Sequence, residues 1–112
     1  MKIASLKNDL KYHVDRPSVQ LLLETENTKE IRIVMKKGQL MKEHMTPFPI
    51  VIEIFKGNID FGVDGQVKNL KKGDIIALKG HVAHDLKSNK DSIIRLSLSK
   101  QDDVARVEGI VE

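Results

Sequence analysis

This chain carries four histidines, His13, His44, His81 and His84, and no cysteine. Disulfide frameworks, thiolate zinc sites and cysteine nucleophiles are excluded together, so any metal chemistry falls to histidine and oxygen donors. The same absence fits a reducing cytoplasm, the expected location. Two of the histidines share a local setting. Lys36-Lys37-Gly38 leads on to His44, and Lys71-Lys72-Gly73 leads on to His84. On neighbouring strands these segments would bring both imidazoles together inside a small barrel. Lys-Lys-Gly is also a common turn in a lysine-rich chain, and spacing alone leaves both readings open. His81 lies on the approach to His84, and His13 is read as a surface residue.

The elements that must position these groups are strands. Helical periodicity is nearly absent, and short apolar runs recur between turn signals, the pattern of a sandwich or barrel. Strands are expected at Gln20–Glu24, Ile31–Lys36, Ile50–Lys56, Ile59–Val63, Gln66–Leu70, Asp74–Lys79, His84–Lys87 and Ser92–Ser97. Ile50, Ile52 and Ile54 alternate with Val51, Glu53 and Phe55, which gives one aliphatic face at a period of two. Ile31, Ile33 and Met35 do the same, as do Ile94, Leu96 and Leu98. Asp64-Gly65 between two such runs predicts a type I′ hairpin. Only the tail, Gln101 to Arg106, has the composition of a short helical turn, with Ser99 as its cap and acids in its first turn.

The whole sequence, residues 1–112, reads as one domain, since 112 residues fall well below the ~250 at which chains tend to split. Nineteen lysines and arginines against sixteen acids leave a net charge of +3. The cations are dispersed among turns and acids, so no nucleic-acid footprint is expected. No apolar run approaches the ~20 residues of a membrane span, and no membrane partner is expected. With three Phe, one Tyr and no Trp, the core must be aliphatic.

From Ile31 to Ser99 the chain resembles the cupin superfamily, whose two motifs pair Gly-x5-His-x-His-x3,4-Glu-x6-Gly with Gly-x5-Pro-x-Gly-x2-His-x3-Asn. Gly38, His44 and Gly57 match the first motif, with Thr46 in place of its second histidine and Ile50 in place of its glutamate. Gly73 and His84 match the second, where Lys79, His81 and Ser88 replace Pro, Gly and Asn. The resemblance implies an all-β jelly-roll barrel with core residues 31–99 and a pocket at its mouth. In metal-binding cupins the motif histidines and glutamate hold a divalent metal, and this chain keeps His44 and His84 of the four positions.

Two readings of the site follow. His81 would be the residue to complete a three-histidine site for iron, manganese, nickel or zinc with His44 and His84, as in a cupin dioxygenase or isomerase. Alternatively His44 and His84 are hydrogen-bonding groups in a pocket walled by Ile50 and Ile52, with no metal and no catalysis. Glu53 shares the parity of Val51 and Phe55 and is expected to face away from that wall. Thr46-Pro47-Phe48-Pro49 forms a stiff rim, with Phe48 either a lid or core filling. The favoured function is small-molecule binding in an aliphatic, two-histidine pocket. A third reading is an interaction module whose interior is filled by Met35, Met41, Ile50, Ile52 and Leu78. Apolar residues on the Val51, Glu53 and Phe55 face predict a homodimer, and Arg95 is expected to snorkel outward.

Overall fold

Alternation of branched aliphatic and polar residues places one face of each strand inside, and the computed structural model, which describes residues 1–111, folds accordingly. Nine strands form among these residues: β1 (Ser18–Glu24), β2 (Thr28–Met35), β3 (Leu40–His44), β4 (Ile50–Lys56), β5 (Asn58–Val63), β6 (Gln66–Lys71), β7 (Ile75–Leu78), β8 (His84–Ser88) and β9 (Ser92–Ser99). A seven-residue helix, α1 (Val104–Ile110), follows them. One sheet runs β1-β2-β9-β4-β7 and the other β3-β8-β5-β6, with every pairing antiparallel. The two sheets face each other across a core of Ile31, Ile33, Met35, Ile50, Ile52, Ile54, Ile59, Phe61, Leu86, Ile94, Leu96 and Leu98. Burying each such side chain contributes about 1.5–3 kcal/mol, which compensates for the scarcity of aromatic residues.

The expected parity holds in β4. Ile50, Ile52 and Ile54 are buried, whereas Val51, Glu53 and Phe55 face outward and are half-buried. Asp64 at φ 54° and Gly65 at φ 71° both have the positive φ of a type I′ turn, and Val63 pairs with Gln66 across it. Two expectations shift. The polar strand β3 had no sequence signal, because only Met41 of Leu40–Glu43 is buried; it is an edge strand, where charged side chains are tolerated. The helical turn lies at Val104–Ile110, capped by the Asp103 carboxylate on the Ala105 amide and not by Ser99, and its first turn is without acids.

On the outer face of the five-stranded sheet, Gln20, Arg32, Arg95 and Glu53 stand opposite one another on β1, β2, β9 and β4. Arg95 points outward and donates to Glu53 and Glu30, both at 2.8 Å. Those two carboxylates raise its pKa further above the usual guanidinium value. Arg32 is instead buried under the N-terminal segment, whose Ser5 and Asn8 carbonyls accept from its Nη1. No helix among the described residues is long and apolar enough to cross a membrane.

Candidate functional site

β3 and β8 set the site. Met41 pairs with Leu86 and His44 with His84, so β3 spends three residues where β8 spends two. That extra residue is a β-bulge, and it turns His44 onto the same inner face as Met41, which simple alternation forbids. His84 needs no such device, because His84, Leu86 and Ser88 are buried in ordinary alternation along β8. The two rings meet edge to face with centroids 4.3 Å apart. Phe61 on β5 stacks on the far side of His84 at 5.5 Å.

Each imidazole is fixed in one tautomer. His44 Nδ1 lies 2.6 Å from the Lys42 carbonyl, and His84 Nδ1 lies 2.9 Å from the Val82 carbonyl. A carbonyl only accepts, so both Nδ1 atoms carry the proton and both neutral rings present a bare Nε2 acceptor. Burial, with the added repulsion of His84 and Arg106, pushes the His44 pKa down to about 4. Burial lowers His84 in the same direction, and Arg106 again contributes. Both rings are therefore neutral near pH 7.

Between the rings and the aliphatic wall lies a cavity of about 20 Å³. That is room for one water. Ile33, Met41, Ile50, Ile52, Leu86, Ile94, Leu96 and Leu98 line it, and α1 closes it with Val107 and Arg106. Arg106 donates through Nε and Nη2 to Asp102 at 2.9 and 3.1 Å, while its Nη1 is buried without a hydrogen-bond partner among the described residues. Asp102 also accepts from the Thr46 hydroxyl at 2.6 Å. Burial acts to raise the Asp102 pKa, but the hydrogen bonds from Arg106, Thr46 and the Asp103 amide outweigh it and hold the carboxyl below its usual value.

The structure brings together His44, His84, Ile50 and Ile52 of the expected site residues. Thr46 is buried, yet its hydroxyl serves Asp102 and it does not line the cavity. Phe48 is half-buried in the rim and also off the cavity wall. His81 departs furthest from expectation. It is exposed, its backbone adopts φ 66°, and its amide donates to the Thr46 carbonyl at 2.7 Å. Arg106, Asp102 and Phe61 were not expected at the site. The parity of Ile59 and Phe61 in β5 could have pointed to Phe61, but nothing local says that the tail folds back over the barrel.

No protein-family model and no curated protein sequence matches the chain. Solved structures do. An RmlC-like cupin protein from Desulfovibrio desulfuricans superposes with a TM-score of 0.81 at 22% identity, covering 88% of this chain and 96% of that one. This chain has the cupin fold. An RmlC-like cupin from Shewanella frigidimarina gives a TM-score of 0.77 at 20% identity, over 92% of this chain and 95% of that one. A conserved protein with a double-stranded β-helix domain from Klebsiella pneumoniae gives 0.77 at 22% identity, over 88% and 89%.

The cupin fold raises the question of a metal, and the donor set here does not fit one. No group of three or more His, Asp or Glu side chains is placed to hold an ion among the described residues. Metals at catalytic sites take three protein ligands or more. The three-histidine arrangement expected from the sequence fails because the left-handed turn at His81 leaves its side chain exposed. Arg106 adds a fixed positive charge to the lining of the same cavity, which opposes a cation further.

Proposed function

We propose that this cupin binds a small molecule, without catalysing its conversion, at the corner formed by His44 and His84. The observation that carries this reading is the pair of locked tautomers, which leave an acceptor nitrogen on each of two rings lining a cavity with aliphatic walls. Small-molecule pockets have this makeup, apolar walls with a few fixed polar groups. The cavity holds only one water with α1 in place, so a ligand enters as α1 lifts. A seven-residue helix with one buried side chain, Val107, is suited to that movement.

The test is a titration of untagged, isotope-labelled protein with a panel of small polar molecules, followed by imidazole nitrogen resonances. Binding should perturb the Nε2 signals of His44 and His84 together with α1 amides. A panel that leaves these signals unmoved overturns the reading. Metal content measured on the same protein tests the metalloenzyme alternative. Stoichiometric metal that disappears in His44→Ala and His84→Ala would restore it.

We also propose that two copies associate through the outer face of β4, where Val51 and Phe55 are only half-buried beside the Glu53–Arg95 pair. Light scattering should give a dimer mass at micromolar concentration, and a monomer mass overturns this.

A further inference from the structure

The ligand's chemical class can be read from the unfilled hydrogen-bonding groups around the cavity, an inference that rests on the binding role above. Three polar side chains line it: His44, His84 and Arg106. The imidazoles offer acceptors only, because their Nδ1 protons are committed to Lys42 and Val82 carbonyls. The guanidinium offers donors only. Its Nε and Nη2 are committed to Asp102, and its Nη1 is buried with no partner among the described residues. A buried, unpartnered guanidinium nitrogen is costly, and such groups call for an explanation.

We propose that the pocket takes a small aliphatic carboxylate bearing a neighbouring hydroxyl, with a carboxylate oxygen on Arg106 Nη1 and the hydroxyl proton on an imidazole Nε2. The hydroxyl is required by the two bare acceptors, since a carboxylate alone would set its lone pairs against theirs. Inorganic phosphate is disfavoured by the same opposition, because it would present several charged oxygens to two unprotonated nitrogens and a single free guanidinium nitrogen. Ile50, Ile52, Leu96 and Leu98 supply a wall for a short branched hydrocarbon body. Because Arg106 belongs to α1, the helix that must lift to admit the ligand also carries the group that binds it. The cavity beneath the fully seated helix holds only one water, so α1 stays displaced while the acid is bound, with Arg106 resting on its carboxylate.

Asp102 already pairs with Arg106, and this does not remove the site. Its carboxylate is shared among Arg106, Thr46 and the Asp103 amide. The positive charge of Arg106 still reaches the rings, since it lowers the pKa of both histidines.

The experiment uses the full chain and three probes: 2-hydroxy-3-methylbutanoate, its methyl ester, and 3-methylbutanoate, which has no hydroxyl. Histidine Nε2 resonances report binding. The hydroxy acid should bind saturably, with the hydroxyl-free acid weaker by roughly three- to tenfold, the worth of a neutral hydrogen bond. The ester should be weaker by about tenfold or more, the worth of a charge-assisted one. Arg106→Gln should weaken the hydroxy acid by a similar factor, and Arg106→Lys should restore part of it. The comparison of acid with ester is made on the unaltered chain, so it stands even if an Arg106 variant folds poorly. An ester that binds as tightly as the acid overturns the carboxylate assignment and leaves the binding role intact. A hydroxyl-free acid that binds equally well overturns the hydroxyl contact. Silence of all three probes at both histidines overturns the assignment, and silence across the wider panel is what removes the binding role itself.

Discussion

Thr46 and Asp102, fifty-six positions apart in the chain, share a buried hydrogen bond of 2.6 Å. Thr46 stands where the cupin motif has its second histidine, and Asp102 leads into α1. A position that metal-binding cupins use for a ligand here latches the C-terminal helix over the barrel mouth. The consequence is a site closed by its own chain, with one water's space behind the latch.

Breaking that latch should loosen α1 selectively. Thr46→Val keeps the shape of the side chain but removes one of the two donors to Asp102 Oδ2 and the acceptor of the Phe48 amide, at a cost of about 1–3 kcal/mol. Hydrogen exchange should rise across Val104–Ile110 and remain slow in β2, β4 and β9. Uniform acceleration of exchange in every strand would show that Thr46 supports the barrel as a whole and is no latch.

Acid should destabilise the fold through the same corner. His44 and His84 have folded pKa values below their unfolded value of about 6.5, so the unfolded chain binds more protons below that pH. Their contribution is fully present above pH 6.5 and is lost as pH falls toward about 4, the folded value for His44. After discounting for partial exposure, roughly 1–2 kcal/mol should disappear across this window. Melting curves of His44→Gln/His84→Gln should show a flatter dependence between pH 6.5 and 4 than the unaltered chain. An identical slope in the double variant would place the acid sensitivity elsewhere.

His81 offers the reverse kind of test. It occupies the motif's glycine position and keeps that glycine's backbone, at φ 66°. Left-handed backbone costs a non-glycine residue on the order of 1 kcal/mol. His81→Gly should therefore be neutral or up to about 1 kcal/mol more stable, the gain reduced by glycine's freedom in the unfolded chain. Resonances of His44 and His84 should not move. A lost metal affinity or a shifted Nε2 signal would return His81 to the site.

The barrel was legible because aliphatic alternation is a local signal. Ile50, Ile52 and Ile54 announce their buried face within five residues, and Asp64-Gly65 announces its turn within two. His44 was legible as a residue but not as an orientation. Its inward aim depends on a bulge in β3, which exists only in the register with β8. Arg106 and Asp102 were not legible as site residues, because their placement depends on a return of the chain across the barrel. His81 misled for a related reason: sequence proximity to His84 suggested a shared face, and a single positive φ removed it.

Arg32 supplies the last prediction. It is 3% exposed on the outer face of β2, and the residue directly across the strand pair is Arg95. No carboxylate pairs with it in the salt bridges of the described residues; it donates to the carbonyls of Ser5, Asn8 and Asp9 and to Gln20 Oε1 at 2.6 Å. A buried cation held by neutral oxygens needs all of them to offset its desolvation. The Ser5–Asp9 stretch is thus tied to β2 through one side chain, while Gln39 holds the His13 and Val14 carbonyls further along. Arg32→Met should release residues 5–9 to rapid proteolysis and lower stability by about 1–3 kcal/mol, with β4 and β9 exchanging as slowly as before. Deleting residues 1–9 and substituting Arg32 together should cost less than the sum of the two changes, since each removes the other's partner. Strict additivity of the two would mean that Arg32 and the segment stabilise the fold independently.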